Sequence, residues 1–181
     1  YLVDRTVPML PERLSNFLCS LRPNEDKLTF SAVFELDEKA NVIHEWFGRT
    51  IIHSNKRFSY EKAQECLESG EGDFAEEVMV LNTLAKKLQA KRFKNGAISF
   101  ETVEVKFKLD EAGRPLGLFP KIRKDAHKLI EEFMLLANKR VAEFCYRHKE
   151  GKEHNTMVYR VHDEPDIEKI RSFSLFASKF G

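Results

Sequence analysis

In the stretch "LTFSAVFEL", residues 28–36, apolar side chains alternate with others at a period of two. After "DEKAN" a second extended run follows, "VIHEWFGRTIIHS". This pattern predicts a β-hairpin closed by a loop of a few residues. The period then lengthens. Ser59 is placed to cap a short helix over about 60–68, which "GEG" near residue 71 ends. A longer helix is predicted over about 73–93, where Phe74, Val78, Leu81, Ala85 and Leu88 recur at helical spacing ahead of Asn95-Gly96. "AISFETVEVKFKL" and "RPLGLFPKI" flank "DEAG" as a second hairpin, and residues 125–148 predict the longest helix. At the start, the prolines of "VPMLPERLSNFLCSLRP" bracket a short helical turn over about 11–19. Beyond a polar break, "GKEHNT", a short strand "MVYRV" and a final helix from near Pro165 complete the reading. Two hairpins and at least three substantial helices, with no regular strand–helix alternation, predict an α+β fold. It has a mostly antiparallel sheet flanked by helices.

At 181 residues and 21.1 kDa the chain has the mass of one ordinary domain. No stretch approaches the roughly 18 apolar residues of a membrane span, and no charged-then-apolar leader opens the chain, so no membrane association is expected. Cys19, Cys66 and Cys145 are odd in number, widely spaced and without a C-x-x-C, which fits a reducing cytoplasm better than a disulfide framework or a zinc site. The net charge of +1 exerts no global pull on polyanions, so any such site must be local. Two basic runs qualify, "KKLQAKRFK" at 86–94 and "KIRK" at 121–124. The first also suits the negative end of a helix. No Gly-rich phosphate loop, nucleophile elbow or HxxxH spacing is present, so standard hydrolase and metalloprotease chemistry finds no support.

Three residues depart from their surroundings. Around the long helix, at 100° per residue, Ala126, Leu129, Ile130, Phe133, Ala137, Val141 and Phe144 make an apolar face. Glu132 falls to one side, where it is expected to pair with Lys128 and stay in water. Glu131 falls to the other, in a polar seam with His127 and Asn138, and either lines a cleft or makes an ordinary surface pair with His127. Phe100 has the parity of Glu104, Lys106 and Lys108, opposite to the core-facing Val103, Val105, Phe107 and Leu109. It is therefore a ring available for base stacking, unless the sheet is covered on both sides there or a bulge resets the phase. Tyr60, in the first turn of its helix, either packs with Ala63 and Leu67 or offers a ring and a hydroxyl to a sugar.

"VPMLPERLSNFLCSL", "HSNKRFSYEKAQ", "GAISF" and "RKDAHKLIEEFMLLAN", in this order and spacing, resemble the catalytic domain of the ribonuclease II/ribonuclease R family of 3′-to-5′ exoribonucleases. The likeness is greatest to the bacterial ribonuclease R branch and continues through "YRVHDEP" into "IRSFSLFASKFG", almost the whole chain. It implies a partial RNB-type domain over residues 1–181 that contributes 3′-end and ribose contacts to a channel for single-stranded RNA. In the complete enzyme that RNA would be degraded processively to mononucleotides. Phe100 would stack on the 3′-terminal base, while Tyr60 and Glu131 would contact ribose and favour RNA over DNA. The family's Mg2+ is held by aspartates in a D-x5-D-x-D-D pattern, and its catalytic arginine stands in an S-P-I-R-[KR]-Y stretch. Neither occurs here, so both are expected before Tyr1 and after Gly181, and the segment alone is expected to be inactive. The competing reading is a non-catalytic RNA-binding or scaffold relative that has lost those aspartates.

Overall fold

The computed structural model describes residues 2–3, 5–98, 105–120, 122–147, 149–150, 153–154 and 158–180. It divides into two compact units, Tyr1–Val141 and Ala142–Gly181. The first begins with a single π-helical turn, Arg13–Leu18. Two long antiparallel strands follow, β1 (Asp26–Leu36) and β2 (Val42–His53), paired from Asp26 with His53 up to Leu36 with Val42. Helices α1 (Tyr60–Ser69) and α2 (Ala75–Lys94) come next. A short hairpin, β3 (Val105–Leu109) with β4 (Pro115–Pro120), precedes the long helix α3 (Asp125–Arg147). The second unit holds the end of α3, a two-residue ribbon of β5 (Lys149–Glu150) with β6 (Glu153–His154), and α4 (Ile167–Ala177). The architecture is α+β with antiparallel hairpins, as the periodicity predicts, although the described strands pair as three separate ribbons rather than one sheet.

Local chemistry sets the boundaries. Ser59 Oγ accepts the backbone N–H of Lys62 at 3.3 Å, which satisfies one orphan donor at the start of α1. At its other end Gly70 adopts φ 72°, a left-handed conformation that costs little only without a Cβ. Asp166 caps α4 by accepting from the N–H groups of Glu168 and Lys169. The expected strand "MVYRV" does not form: among the described residues, 158–161 are irregular and lie exposed, and the short ribbon occupies the stretch read as a polar break. An apolar run becomes a strand only where a neighbour takes up its backbone hydrogen bonds, a condition that alternation within the run does not reveal.

Burial is sparse. Among the described residues the fully covered apolar positions are Ala40, Cys66, Ala85 and Ala126, and no large side chain is wholly enclosed. The hairpin of β1 and β2 shows the same economy: Phe34 and Phe47 meet edge to face near its tip, with ring centroids 6.0 Å apart. Leu28, Phe30 and Ile51 stand exposed toward the open end. Within β2, Gly48 leaves room for the Trp46 ring: a Cβ there would lie 2.5 Å from two of its atoms, so the ring would have to shift. The tip is held from below by α2. Lys87 Nζ donates to the Glu38 carbonyl at 2.5 Å, and Lys91 Nζ to the Ala40 carbonyl at 3.0 Å and to Asn41 Oδ1 at 2.6 Å. Much of the basic run at 86–94 is thus consumed in fastening secondary structure together, beyond any effect on the helix end.

Candidate functional site

The start of α3 is where three helices exchange polar contacts. On α1, Tyr60, Gln64 and Glu68 recur every fourth residue and so share one face. Gln64 Oε1 accepts the Ala126 N–H at 3.0 Å, one of the unpaired donors of α3's first turn. Gln64 Nε2 donates to Glu68 Oε1 at 2.9 Å, and Glu68 also takes Lys124 Nζ at 3.2 Å. Tyr60 stacks flat on His127, with ring centroids 4.2 Å apart and planes 8° from parallel. His127 in turn accepts the backbone N–H of Lys124 through Nδ1 at 3.3 Å. From α2, Lys86 Nζ reaches Asp125 at 2.8 Å.

Asp125 therefore has its carboxyl held below the ordinary carboxylate range, first by the hydrogen bond from Lys86 and then by that ammonium's charge. A depressed folded-state pKa gives stability that is present above the unfolded value, about 4, and is lost as pH falls through the lower folded value. Asp125→Asn should accordingly weaken the amide-exchange protection of early α3 at neutral pH. The gap between the variant and the parent should close as pH drops below about 4; a gap independent of pH would show that the charge is not the cause.

One turn beyond His127 stand the two adjacent glutamates, and the structure reverses part of the expectation for them. Glu132 is not solvated: it is 3% exposed, and both of its oxygens are taken by Arg92 from the last turn of α2. Arg92 Nε lies 3.2 Å from Oε1 and 3.1 Å from Oε2, and Nη2 adds a further short bond to Oε1. Arg92, rather than the expected Lys128, is its partner. Its grip, mainly the hydrogen bond to Glu132, raises the Arg92 pKa further. The covered side of α3 therefore keeps Ala126, Ala137 and Val141 of the apolar face drawn on the helical wheel and extends beyond it toward Glu132. This side also takes in Leu129, Glu132, Leu136 and Arg140, whereas Ile130, on the other margin of the predicted face, is half exposed. Arg140 Nε pairs with Glu45 on β2 at 2.5 Å, a second charged contact on this side of the helix.

Glu131 is partly covered, with a side chain 29% exposed, and lies between two arginines. Arg123 Nη2 forms a short ion pair with its Oε2, and Arg92 Nη2 is 3.9 Å from its Oε1. His127 and Glu131 occupy successive turns of one face of α3, and Tyr60, 44% exposed, reaches that face from α1 by its stack on His127. Asn138, the third member of the seam, is exposed. Phe100 lies outside the described residues, so its place relative to Tyr60 and Glu131 is not part of this geometry. Arg92 and Arg123 were not singled out by sequence reasoning. Their only signal there was membership of the two basic runs.

This constellation combines a reachable aromatic ring with a phenol hydroxyl, an acceptor carboxylate and a half-exposed guanidinium. Those are groups for holding a sugar and a phosphate. It does not suit a metal: among the described residues no group of three or more His, Cys, Asp or Glu is placed to share an ion, and both glutamates already face cations. Nor is any helix of the described residues long and apolar enough to cross a membrane.

The RNB domain model matches residues 1–180. Ribonuclease R 1 of Lactococcus lactis is 36% identical over 187 residues that take in 100% of this chain and 22% of that protein. Inactive exonuclease DIS3L2 of Arabidopsis thaliana is also 36% identical, over 100% of this chain and 18% of the relative. Among solved structures, Mycoplasma genitalium RNase R in complex with double-stranded RNA superposes with a TM-score of 0.83 at 29% identity. That match covers 96% of this chain and 31% of the other. The chain thus spans about a fifth of the length of the curated relatives it matches.

Proposed function

The chain belongs to the RNB-domain family, and on that premise we propose that it is the central part of a catalytic domain that degrades single-stranded RNA from the 3′ end. The complete protein is read as a processive, hydrolytic exoribonuclease of the bacterial ribonuclease R type that works in the cytoplasm. Residues 1–181 contribute the wall of the RNA channel that meets ribose and the 3′ terminus. The observation that carries this reading is the alignment of Tyr60, His127 and Glu131. The Tyr60 ring lies on His127, and the carboxylate of Glu131, able to accept from a 2′-hydroxyl, stands one helical turn beyond that histidine on α3.

On this reading the phenol of Tyr60 and the carboxylate of Glu131 bind the sugar. Phe100 stacks on the terminal base, since an exposed ring offers about 1–3 kcal/mol to any base. Hydrolysis would draw on Mg2+, which activates water and stabilises the leaving oxygen. The residues described here supply no set of ligands for it, so the ion would be held by other parts of the protein and the 181 residues alone would not cleave. A second reading is supported by the Arabidopsis relative, whose name designates it inactive. It makes the protein an RNA binder that keeps the channel without the chemistry.

The two separate in one assay. Full-length protein, single-stranded RNA labelled at its 5′ end and magnesium should convert the RNA from its 3′ end to a short labelled end product with few intermediates, while mononucleotides are released. Tight binding of RNA that stays intact would select the non-catalytic reading, and internal cuts would refute both.

A further inference from the structure

The two glutamates in the middle of α3 act as a pair, and the residue that couples them is Arg92. Glu132, 3% exposed, binds the guanidinium of Arg92 through both oxygens. A planar fork held at two points has little freedom left. The same Nη2 that bonds Glu132 lies 3.9 Å from Glu131 Oε1. The other oxygen of Glu131 is bound by Arg123, whose side chain is 49% exposed and stands on the segment before α3. The four charges form a chain, Arg123 to Glu131 to Arg92 to Glu132. One end is buried and fixed, and the other is wet and exchangeable.

We propose that Arg92 is a positioning residue for the Glu131 carboxylate: anchored by Glu132, it holds Oε1 in place while Oε2 is exchanged from Arg123 to a ribose 2′-hydroxyl. This inference rests on the reading of Glu131 as the ribose-contacting acid. A fixed cation beside one oxygen restricts the swing of the carboxylate about its terminal torsion, which is otherwise broad. A hydroxyl then meets an acceptor already placed, and the ordering need not be supplied by the substrate. Arg123, once displaced, is a free guanidinium close to an incoming phosphate, which it can bind with two donors.

The test uses the full-length protein and two substrates: a single-stranded RNA, and the same strand with 2′-deoxyribose in its 3′-terminal nucleotides. The readout is the ratio of the two cleavage rates. The double variant R92M/E132M replaces a buried ion pair by apolar side chains of similar volume, an exchange that is often neutral for folding. It leaves Glu131 without its anchor. With amide-exchange protection of α2 and α3 retained, the ratio should fall about tenfold or more. A ratio equal to that of the parent protein, in a preparation where Glu131→Ala does lower it, overturns the positioning role alone. Should Glu131→Ala also leave the ratio unchanged, the ribose reading falls and takes this inference with it. If the double variant loses helix protection, Arg92→Lys decides. It keeps a cation but not the fork, so a lowered ratio supports positioning and an unchanged one overturns it.

Discussion

Arg92→Met alone, in the full-length protein, is expected to destabilise the contact between α2 and α3 by about 3–5 kcal/mol, the size of effect seen when one partner of a buried ion pair is removed. The asymmetry comes from exposure. Arg92 retains 30% of its side-chain surface and could recover water if Glu132 were lost, but Glu132 has only 3% and could not. Removing the arginine therefore leaves a carboxylate with little access to water, so its unmade hydrogen bonds are costly. Amide exchange in α2 and α3 reads the local free energy directly. At a tenfold change for each 1.4 kcal/mol, protection should drop by about two to three orders of magnitude or more. The R92M/E132M variant should regain most of it. Equal protection in the single and double variants would show that the pair is not energetically coupled.

Glu131→Ala is expected to lower preference for ribose over deoxyribose by about 10- to 100-fold. A hydrogen bond to a charged group contributes roughly 1.5–3 kcal/mol, which sets this range. The argument turns on exchange. In the resting site Oε2 is satisfied by Arg123, and a 2′-hydroxyl can take that place at little cost, whereas deoxyribose has nothing to offer in return. Without the carboxylate both sugars meet the same surface, so the rate on RNA should fall while the rate on the deoxy strand does not. A parallel loss on both substrates would mean that Glu131 supports the architecture of the channel and does not read the sugar.

How much of this was legible in the chain depends on the range of the interaction concerned. The hairpin of β1 and β2, the Ser59 cap, the stop at Gly70 and the extent of α3 are all decided by contacts within a few residues, and periodicity locates them. Angular position alone separates Glu131 from its neighbour in the sequence, whereas in the structure the Arg92 guanidinium faces both. Glu132 was misread for an instructive reason. A helical wheel ranks positions by hydrophobicity and assigns charge to water, but the covered side of α3 is partly ionic, with Glu132 facing Arg92 and Arg140 facing Glu45. Both partners lie on other elements, far away in sequence, and nothing in the local pattern announces them. The same holds for the basic runs, where Lys87 and Lys91 fasten a hairpin tip and Arg123 and Lys124 meet carboxylates. The absent strand at 158–161 shows the converse error, since local alternation suggested pairing that no described neighbour provides.

The half-clothed ribbon of β1 and β2 bears on the solubility of the protein. Among the described residues the two strands present two open edges, and one broad side carries Leu28, Phe30 and Ile51 in the open. Such a strip invites other chains to stack on it or extend it. Arg49, exposed on that same side, stands directly across from Phe30. A charge in this place acts as a gatekeeper against aggregation, so neutralising it would threaten colloidal behaviour well before it disturbed the backbone.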